Sequence, residues 1–437
     1  MPDCFVHASD LHLDAPLGSL GLLDAERRSH LAERAATAWD RLVQLCIDED
    51  ASFLVLAGDI FDSAIAGVGV QVRFQSGLRR LDEAGVRSFI CHGNHDPLSE
   101  GFRTVGELPA SAVRFAPGEP QSHRARLRND GGDVLVSGVS FGQRHETENL
   151  ARRFGGIEHA RDAGPHVAVL HANVGANPGH DPYAPCSDDD LDAAPVNYWA
   201  LGHIHKREVR RLHSGARAAY CGNLQGRSFK PSECEPKGAL VVPIADGRIG
   251  EPRFESCDAV RFVRSDLAVT PEDTIDEIAI RLTEQATEMG RRHAPLPVVW
   301  ESRLVGTSHD ARRIRDAAAA GGFAAALSAE LTERLGGGGL CRLETTVRTA
   351  VDREQILSGN DLRADVLRDL ASYQQALASP DADTALLHEL LREGLPSVVE
   401  DFWAELIAEQ PQRLDDVLVL AEELLLDVYS DEPAGTP

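Results

Sequence analysis

Phe53-Leu54-Val55-Leu56-Ala57-Gly58-Asp59-Ile60-Phe61-Asp62 sets the pattern for this chain. Five apolar residues are too few for a helix. Ending on Gly-Asp, they read as a buried strand that breaks into a polar turn. The construction recurs four times: 5–8 leads into Asp10-Leu11-His12, 88–91 into Gly93-Asn94-His95-Asp96, 167–170 into His171-Ala172-Asn173, and 198–201 into Gly202-His203-Ile204-His205. The polar residues therefore gather at strand C-termini, the edge where open α/β sheets bind ligands.

Asp10, His12, Asp59, Asn94, His171, His203 and His205 offer carboxylate, imidazole and carboxamide donors. Seven ligands exceed what one ion holds with an open position. They suit two ions about 3.5–4 Å apart sharing one carboxylate. Asp59, alone on a tight Gly-Asp turn, is the natural bridge. Such a pair clamps a phosphate ester and activates water for in-line attack. Oxygen and imidazole donors suit manganese, iron or zinc alike.

The five motifs in this order resemble those of the calcineurin-like metallophosphoesterases. Asp10-Leu11-His12-Leu13-Asp14-Ala15-Pro16, the Gly-Asp-Ile-Phe-Asp run and Tyr220-Cys221-Gly222-Asn223-Leu224-Gln225-Gly226-Arg227 resemble more narrowly the SbcD-type DNA repair exonuclease subunits of bacteria, over about residues 4–242. The resemblance implies an α/β fold: a two-sheet αββα sandwich with a small α+β capping domain and a helical C-terminal segment. It implies two divalent ions, Mn²⁺ first among them. One would be held by Asp10, His12, Asp59 and His205, the other by Asp59, Asn94, His171 and His203. His95 follows a ligand and is placed to protonate the leaving alkoxide as general acid. Asp96 is placed to orient His95 and raise its pKa. Asp14 and Asp62 read as hydrogen-bond partners rather than ligands. Asn223 and Arg227 read as site wall or phosphate contacts.

The function so implied is a metal-dependent DNA exonuclease/endonuclease acting in DNA repair. Its partners would be DNA, an SMC-like (SbcC-type) ATPase subunit and a second copy of the chain as a homodimer. The alternative is a phosphodiesterase or phosphatase acting on a small nucleotide-type substrate; a second domain and an acidic tail count against it. A non-catalytic scaffold would have shed at least one ligand, and the set is complete.

With 437 residues, the chain is expected to form two or three domains. The reading is a nuclease domain over 1–255, a capping domain over 256–355 and an acidic helical region over 356–437. Net charge is −25, which argues against a DNA enzyme until its distribution is read. Residues 1–255 carry only −8, while 380–437 carry −13. Lys206, Arg207, Arg210, Arg211, Arg217, Arg227, Lys230 and Lys237 form a locally basic stretch after the last motif. It reads equally as a phosphate-binding strip and as a solvated face. No C-x-x-C pair occurs among the eight cysteines, which read as reduced thiols of a cytoplasmic enzyme. No apolar run approaches the roughly 20 residues of a membrane span, and Met1–Phe5 shows no signal-peptide pattern.

Helical periodicity is expected over 27–50 and 71–84, with strands at 113–115 and 134–139. Ile65, Val68, Val70, Val72, Phe74 and Leu78 read either as sheet-facing core or, by the resemblance, as a dimer surface. Over 258–350 the pattern is strand, helix, strand, helix, strand, with strands at 260–263, 266–269, 297–301, 303–305 and 340–347. Helices at 362–378, 382–395 and 398–428 close the chain. The broad apolar face of the last must dock, on the ATPase partner or on the protein itself.

Overall fold

The computed structural model describes residues 3–63, 65–98, 105–129, 132–159, 164–175, 182–350, 356–360, 364, 365, 367, 368 and 370–372. The expected helices at 382–395 and 398–428, and most of that at 362–378, lie outside the described residues.

All five apolar runs are strands. In the first sheet β1 (Asp3–Ala8), β2 (Phe53–Ala57), β3 (Arg87–Cys91) and β4 (Ala112–Arg114) lie side by side in parallel. The second sheet holds β5 (Gln121–Arg126), β6 (Asp133–Val139), β7 (His166–His171), β8 (Tyr198–Gly202), β9 (Glu208–Arg211) and β10 (Arg217–Tyr220), in the order β5-β6-β7-β8-β10-β9. The chain then returns to the first sheet, where β11 (Gly238–Ala245) pairs antiparallel with β1 and carries β12 (Arg248–Ile249) and β13 (Arg253–Ser256).

Strand alternation builds the layers. In β2, Phe53, Val55 and Ala57 point between the sheets, while Leu54 and Leu56 point outward. The inner faces meet as one core of Phe5, Phe53, Phe89, Val136, Val167, Val169 and Tyr198. Phe53 stacks on Phe5 at 4.9 Å and meets Phe89 edge-on at 5.8 Å. The outer face of the first sheet is covered by α2 (Ala38–Asp48) and α3 (Val68–Glu83), through Trp39, Leu42, Phe74 and Leu78. The outer face of the second is covered by the 3₁₀ segment Leu150–Gly156 and α4 (Asp188–Ala193), through Phe154 and Leu191. The order is helix, sheet, sheet, helix. Burial on both faces explains why the strands read as continuous apolar runs.

The single helix expected over 27–50 is two, α1 (Ala25–Ala35) and α2, because the Thr37 hydroxyl donates to the Arg34 carbonyl and the chain turns there. Among the residues read as core or dimer surface, Phe74 and Leu78 are buried against the first sheet, while Ile65, Val68 and Val72 face solvent.

The chain packs as two compact units. One takes Met1–Ser265, Gln285–Glu301 and Ala325–Arg342; the other takes Asp266–Glu284, Ser302–Ala324 and the residues from Leu343. Over 261–349 the elements are β14 (Arg261–Val269), α5 (Ile275–His293), β15 (Val298–Ser308), α6 (Ala311–Ala319), α7 (Gly322–Leu331) and β16 (Gly339–Thr349). The expected short strand pairs at 260–269 and 297–305 are thus single long strands. No helix among the described residues is long and apolar enough to cross a membrane.

Removing the central ring tests the inter-sheet core. Phe53→Ala should lower the unfolding free energy by about 3–5 kcal/mol, read by urea titration. A loss below about 1 kcal/mol would contradict a close-packed interior here.

Candidate metal centre

The ends of β1, β2, β3, β7 and β8 deliver the polar motifs to one place, and the backbone is strained in doing so. Asp10, His12, Asp59 and His203 have φ of 49°, 43°, 50° and 96°. Left-handed backbone is unfavourable for side-chain-bearing residues and persists where surrounding bonds over-determine it. Here the Asp10 and His12 amides donate to the carbonyls of Gly58 and Asp59, both at 3.0 Å. The His203 amide donates to the Asp10 carboxylate at 3.0 Å. Two motif glycines are required by space. A Cβ at Gly93 would run into Asp59 Oδ1, and one at Gly202 into the Ala57 carbonyl.

Three imidazoles are tethered alike. His12 Nδ1 donates to Asp62 Oδ1 at 3.0 Å, His171 Nδ1 to the Ala57 carbonyl at 3.0 Å, and His205 Nδ1 to Glu233 Oε1 at 2.7 Å. Each Nε2 is thereby left facing acids. His171 Nε2 lies 3.0 Å from Asn94 Oδ1 and 3.4 Å from Asp59 Oδ2. His12 Nε2, buried with no hydrogen-bond partner, lies 3.8 Å from the same Asp59 oxygen. His205 Nε2 lies 4.0 Å from Asp10 Oδ1. A neutral ring whose proton is on Nδ1 presents a lone pair at Nε2. Lone pairs aimed at carboxylate oxygens repel unless a cation sits between them, and tethering the far nitrogen is how proteins orient a histidine ligand. The residues present therefore fit divalent ions.

Among the described residues, candidate ligand atoms within 4.8 Å of one another form three sets: Asp10, His12 and His205; Asp10, Asp59 and His171; and His12, Asp62 and His95. Asp59, buried, stands between His12 and His171. His203 stacks edge-on to His171 at 5.3 Å, and Asn94 reaches the set through His171. In the metal-free chain protons supply the missing positive charge. Burial pushes His171 down, but Asp59 and Asp10 outweigh it and raise its pKa to about 9. Burial would raise Asp59, yet the neighbouring His171 and His12 hold it well below the usual carboxylate range.

His95 is the most open of these rings, with its side chain 32% exposed. Its amide donates to Asp59 Oδ1 at 3.0 Å, and its Nδ1 lies 3.3 Å from Asp62 Oδ1. The hydrogen bond to Asp62, opposed by burial, raises His95 to about 9. Asp62 thus joins His12 to His95. Asp14 in turn accepts from the Asp62 amide at 2.5 Å.

Two expectations are corrected. Asp96 does not orient His95. It is fully buried and accepts from His92 Nδ1 at 2.9 Å, the Gly93 amide at 2.9 Å and the Ile60 amide at 3.0 Å. Its work is to tie the Gly93 turn to the turn after Asp59, and the carboxylate at His95 is Asp62. Asn223 and Arg227 do not line an open wall. Asn223 is fully buried and donates to the Gln225 carbonyl at 2.7 Å and Glu233 Oε2 at 2.9 Å. The Arg227 guanidinium turns inward and donates to the backbone carbonyls of Leu11, His12 and Ala15, fastening the His12 turn.

The basic stretch divides the same way. Lys237 is buried, its ammonium donating to the His205 carbonyl at 2.8 Å. Arg210 pairs with Glu208, Arg217 with Glu251, and Arg207 lies over the Phe254 ring. Lys206, Arg211 and Lys230 are exposed without ion pairs among the described residues. Glu233 and Lys237 are the residues that sequence reasoning missed. Lys237 stood in the sequence only as one member of the basic stretch, and Glu233 as one of the few acids within it.

The sequence pattern of the calcineurin-like phosphoesterase family matches residues 5–207. The uncharacterized metallophosphoesterase YhaO of Bacillus subtilis is 30% identical over 294 residues, 67% of this chain and 70% of YhaO. A DNA double-strand break repair protein Mre11 of Thermoplasma acidophilum is 23% identical over 290 residues, 65% of this chain and 72% of that one. A subunit of the nuclease SbcCD of Bacillus subtilis is 26% identical over 288 residues, 56% of this chain and 66% of that one. A double sheet with carboxylates and imidazoles converging at its strand ends defines a metal-dependent phosphoester hydrolase with a dinuclear site. The chain belongs to the calcineurin-like phosphoesterase family.

Arg227→Met should separate support from substrate contact. Stranding buried carbonyls costs about 1–3 kcal/mol, so urea stability should fall while KM for a phosphodiester stays unchanged. A raised KM at unchanged stability would return Arg227 to the substrate.

Proposed function

We propose that this chain is the nuclease subunit of an SbcD-like DNA repair enzyme. It would hydrolyse phosphodiesters in DNA with two divalent ions, Mn²⁺ first among them. The observation that carries the nuclease reading is the reach of the likeness. Relatives named for double-strand break repair and for the SbcCD nuclease match 65% and 56% of this chain, a larger share than the family match to residues 5–207. In this reading Asp10, His12, Asp59 and His205 hold one ion, and Asp59, Asn94, His171 and His203 hold the other. Bound ions would neutralise the phosphodiester and make water a stronger nucleophile. The bond from phosphorus to the water oxygen forms as the bond to the leaving oxygen breaks. His95, hydrogen-bonded to Asp62 and open to solvent, gives its proton to that leaving alkoxide. Asp62 holds the His95 ring for the transfer.

The partners follow from the same reading. DNA would meet the exposed Lys206, Arg211 and Lys230. The acidic residues 380–437 are unsuited to DNA and would take an SMC-like ATPase subunit. The exposed Ile65, Val68 and Val72 would pair two copies as a homodimer.

End-labelled single- and double-stranded DNA with Mn²⁺, beside bis-p-nitrophenyl phosphate, tests the reading. Wild type should cut DNA, EDTA should abolish cutting, and His95→Ala should lose about 10²–10⁴-fold while keeping its metal content. Ester hydrolysis without DNA cleavage, even with the ATPase added, would instead favour a small nucleotide-type substrate.

Asp62→Asn should shift the pH profile. A general acid works only while protonated, so activity falls as pH rises through the pKa of His95. Removing the Asp62 charge lets that pKa drop from about 9 toward its ordinary value. The alkaline limb of kcat/KM should therefore move to lower pH. An unmoved limb would remove His95 from the acid role.

A further inference from the structure

We propose that Glu233 is a positioning residue for one metal position only, the one served by His205. The inference rests on the ligand division proposed above. Glu233 is 5% exposed and lies in the short 3₁₀ turn Pro231–Glu233, outside the five motifs. Both of its carboxylate oxygens are engaged. Oε1 accepts from His205 Nδ1 at 2.7 Å. Oε2 accepts from Asn223 Nδ2 at 2.9 Å and from the Arg227 amide at 2.9 Å. The two donors at Oε2 lock the carboxylate's orientation, so Oε1 cannot turn away from the ring.

The consequence is a fixed tautomer. With its proton held on Nδ1 by Glu233, His205 presents the Nε2 lone pair toward Asp10. The same histidine is gripped from behind, where buried Lys237 donates to its carbonyl at 2.8 Å. A side chain at Gly222 would crowd that carbonyl at 2.8 Å. His12 and His171 take their tethers from Asp62 and the Ala57 carbonyl, neither of which touches Glu233. Losing Glu233 therefore frees the His205 ring directly and leaves the His12 and His171 tethers in place, while its other contacts, to Asn223 and the Arg227 amide, lead only toward the His12 turn of the same metal position.

Glutamine makes a sharp substitution at this position. Its carbonyl oxygen can satisfy the Asn223 and Arg227 donors only by turning its NH₂ toward His205. That NH₂ donates to Nδ1, drives the ring proton to Nε2 and blocks the ligand atom. Glu233→Asp keeps the charge and acceptor on a shorter arm.

The test is Mn²⁺ titration of the full chain by calorimetry, for wild type, Glu233→Gln, Glu233→Asp, His205→Ala and the Glu233→Gln/His205→Ala pair. Thermal unfolding of each metal-free variant is recorded alongside. Wild type should bind two ions. Glu233→Gln should weaken one by about 10–100-fold and leave the other unchanged, in a metal-free chain that still unfolds in a single cooperative transition. Glu233→Asp should recover part of the loss. The double variant should bind like His205→Ala, because the two residues act through one ligand. Equal weakening of both ions, or additive losses in the double variant, would overturn the proposal. If His205→Ala itself leaves both ions bound, the ligand division fails, and that outcome is visible independently of Glu233.

Discussion

One buried carboxylate organises this molecule. Asp59 sits at the end of a strand covered on both faces, where an uncompensated negative charge would cost several kcal/mol. Its compensation arrives from both sheets: the His12 ring from the end of β1, His171 from the end of β7, and the His95 amide from the turn after β3. Left-handed backbone at Asp10, His12, Asp59 and His203, and glycines at 93 and 202, are what let these groups come so close. The local strain is tolerable because the strands beneath are locked by a continuous apolar core. Protons on the histidines hold the charges together in the metal-free chain, and divalent ions would hold them more strongly.

Support for the site is layered by distance along the chain. Asp62 and Asp14 come from the neighbouring turns and brace His12 and His95. Glu233, Arg227 and Lys237 come from the segment between β10 and β11 and brace His205 and the His12 turn. The basic residues from Lys206 to Lys237 differ in where they point. Arg227 and Lys237 donate to backbone carbonyls inside the protein, while Lys206, Arg211 and Lys230 are exposed.

The sandwich and the convergence of its motifs were legible because each signal is local. A short apolar run ended by Gly-Asp or Gly-Asn-His says both strand and strand end, as with Phe53–Ala57 and Arg87–Cys91. The supporting contacts were not legible, since they join residues far apart in sequence: Arg227 to Leu11, Lys237 to His205, Glu233 to His205. Adjacency misled at Asp96. Next to His95 in sequence, it points to the other side of the turn and bonds His92, four residues back. The helix break near Thr37 was hidden because the apolar periodicity of 27–50 continues across it. The strands β9, β12 and β13 were missed for the opposite reason, being short and partly polar.

In the proposed site Asp59 would bridge two ions. Anomalous diffraction from crystals grown with Mn²⁺, measured on both sides of the manganese edge, addresses it without reference to any substrate. The expected result is two peaks about 3.5–4 Å apart with the Asp59 carboxylate between them, one beside His12 and His205 and the other beside His171. A single peak, or one centred on His12, Asp62 and His95 away from Asp59, would contradict it.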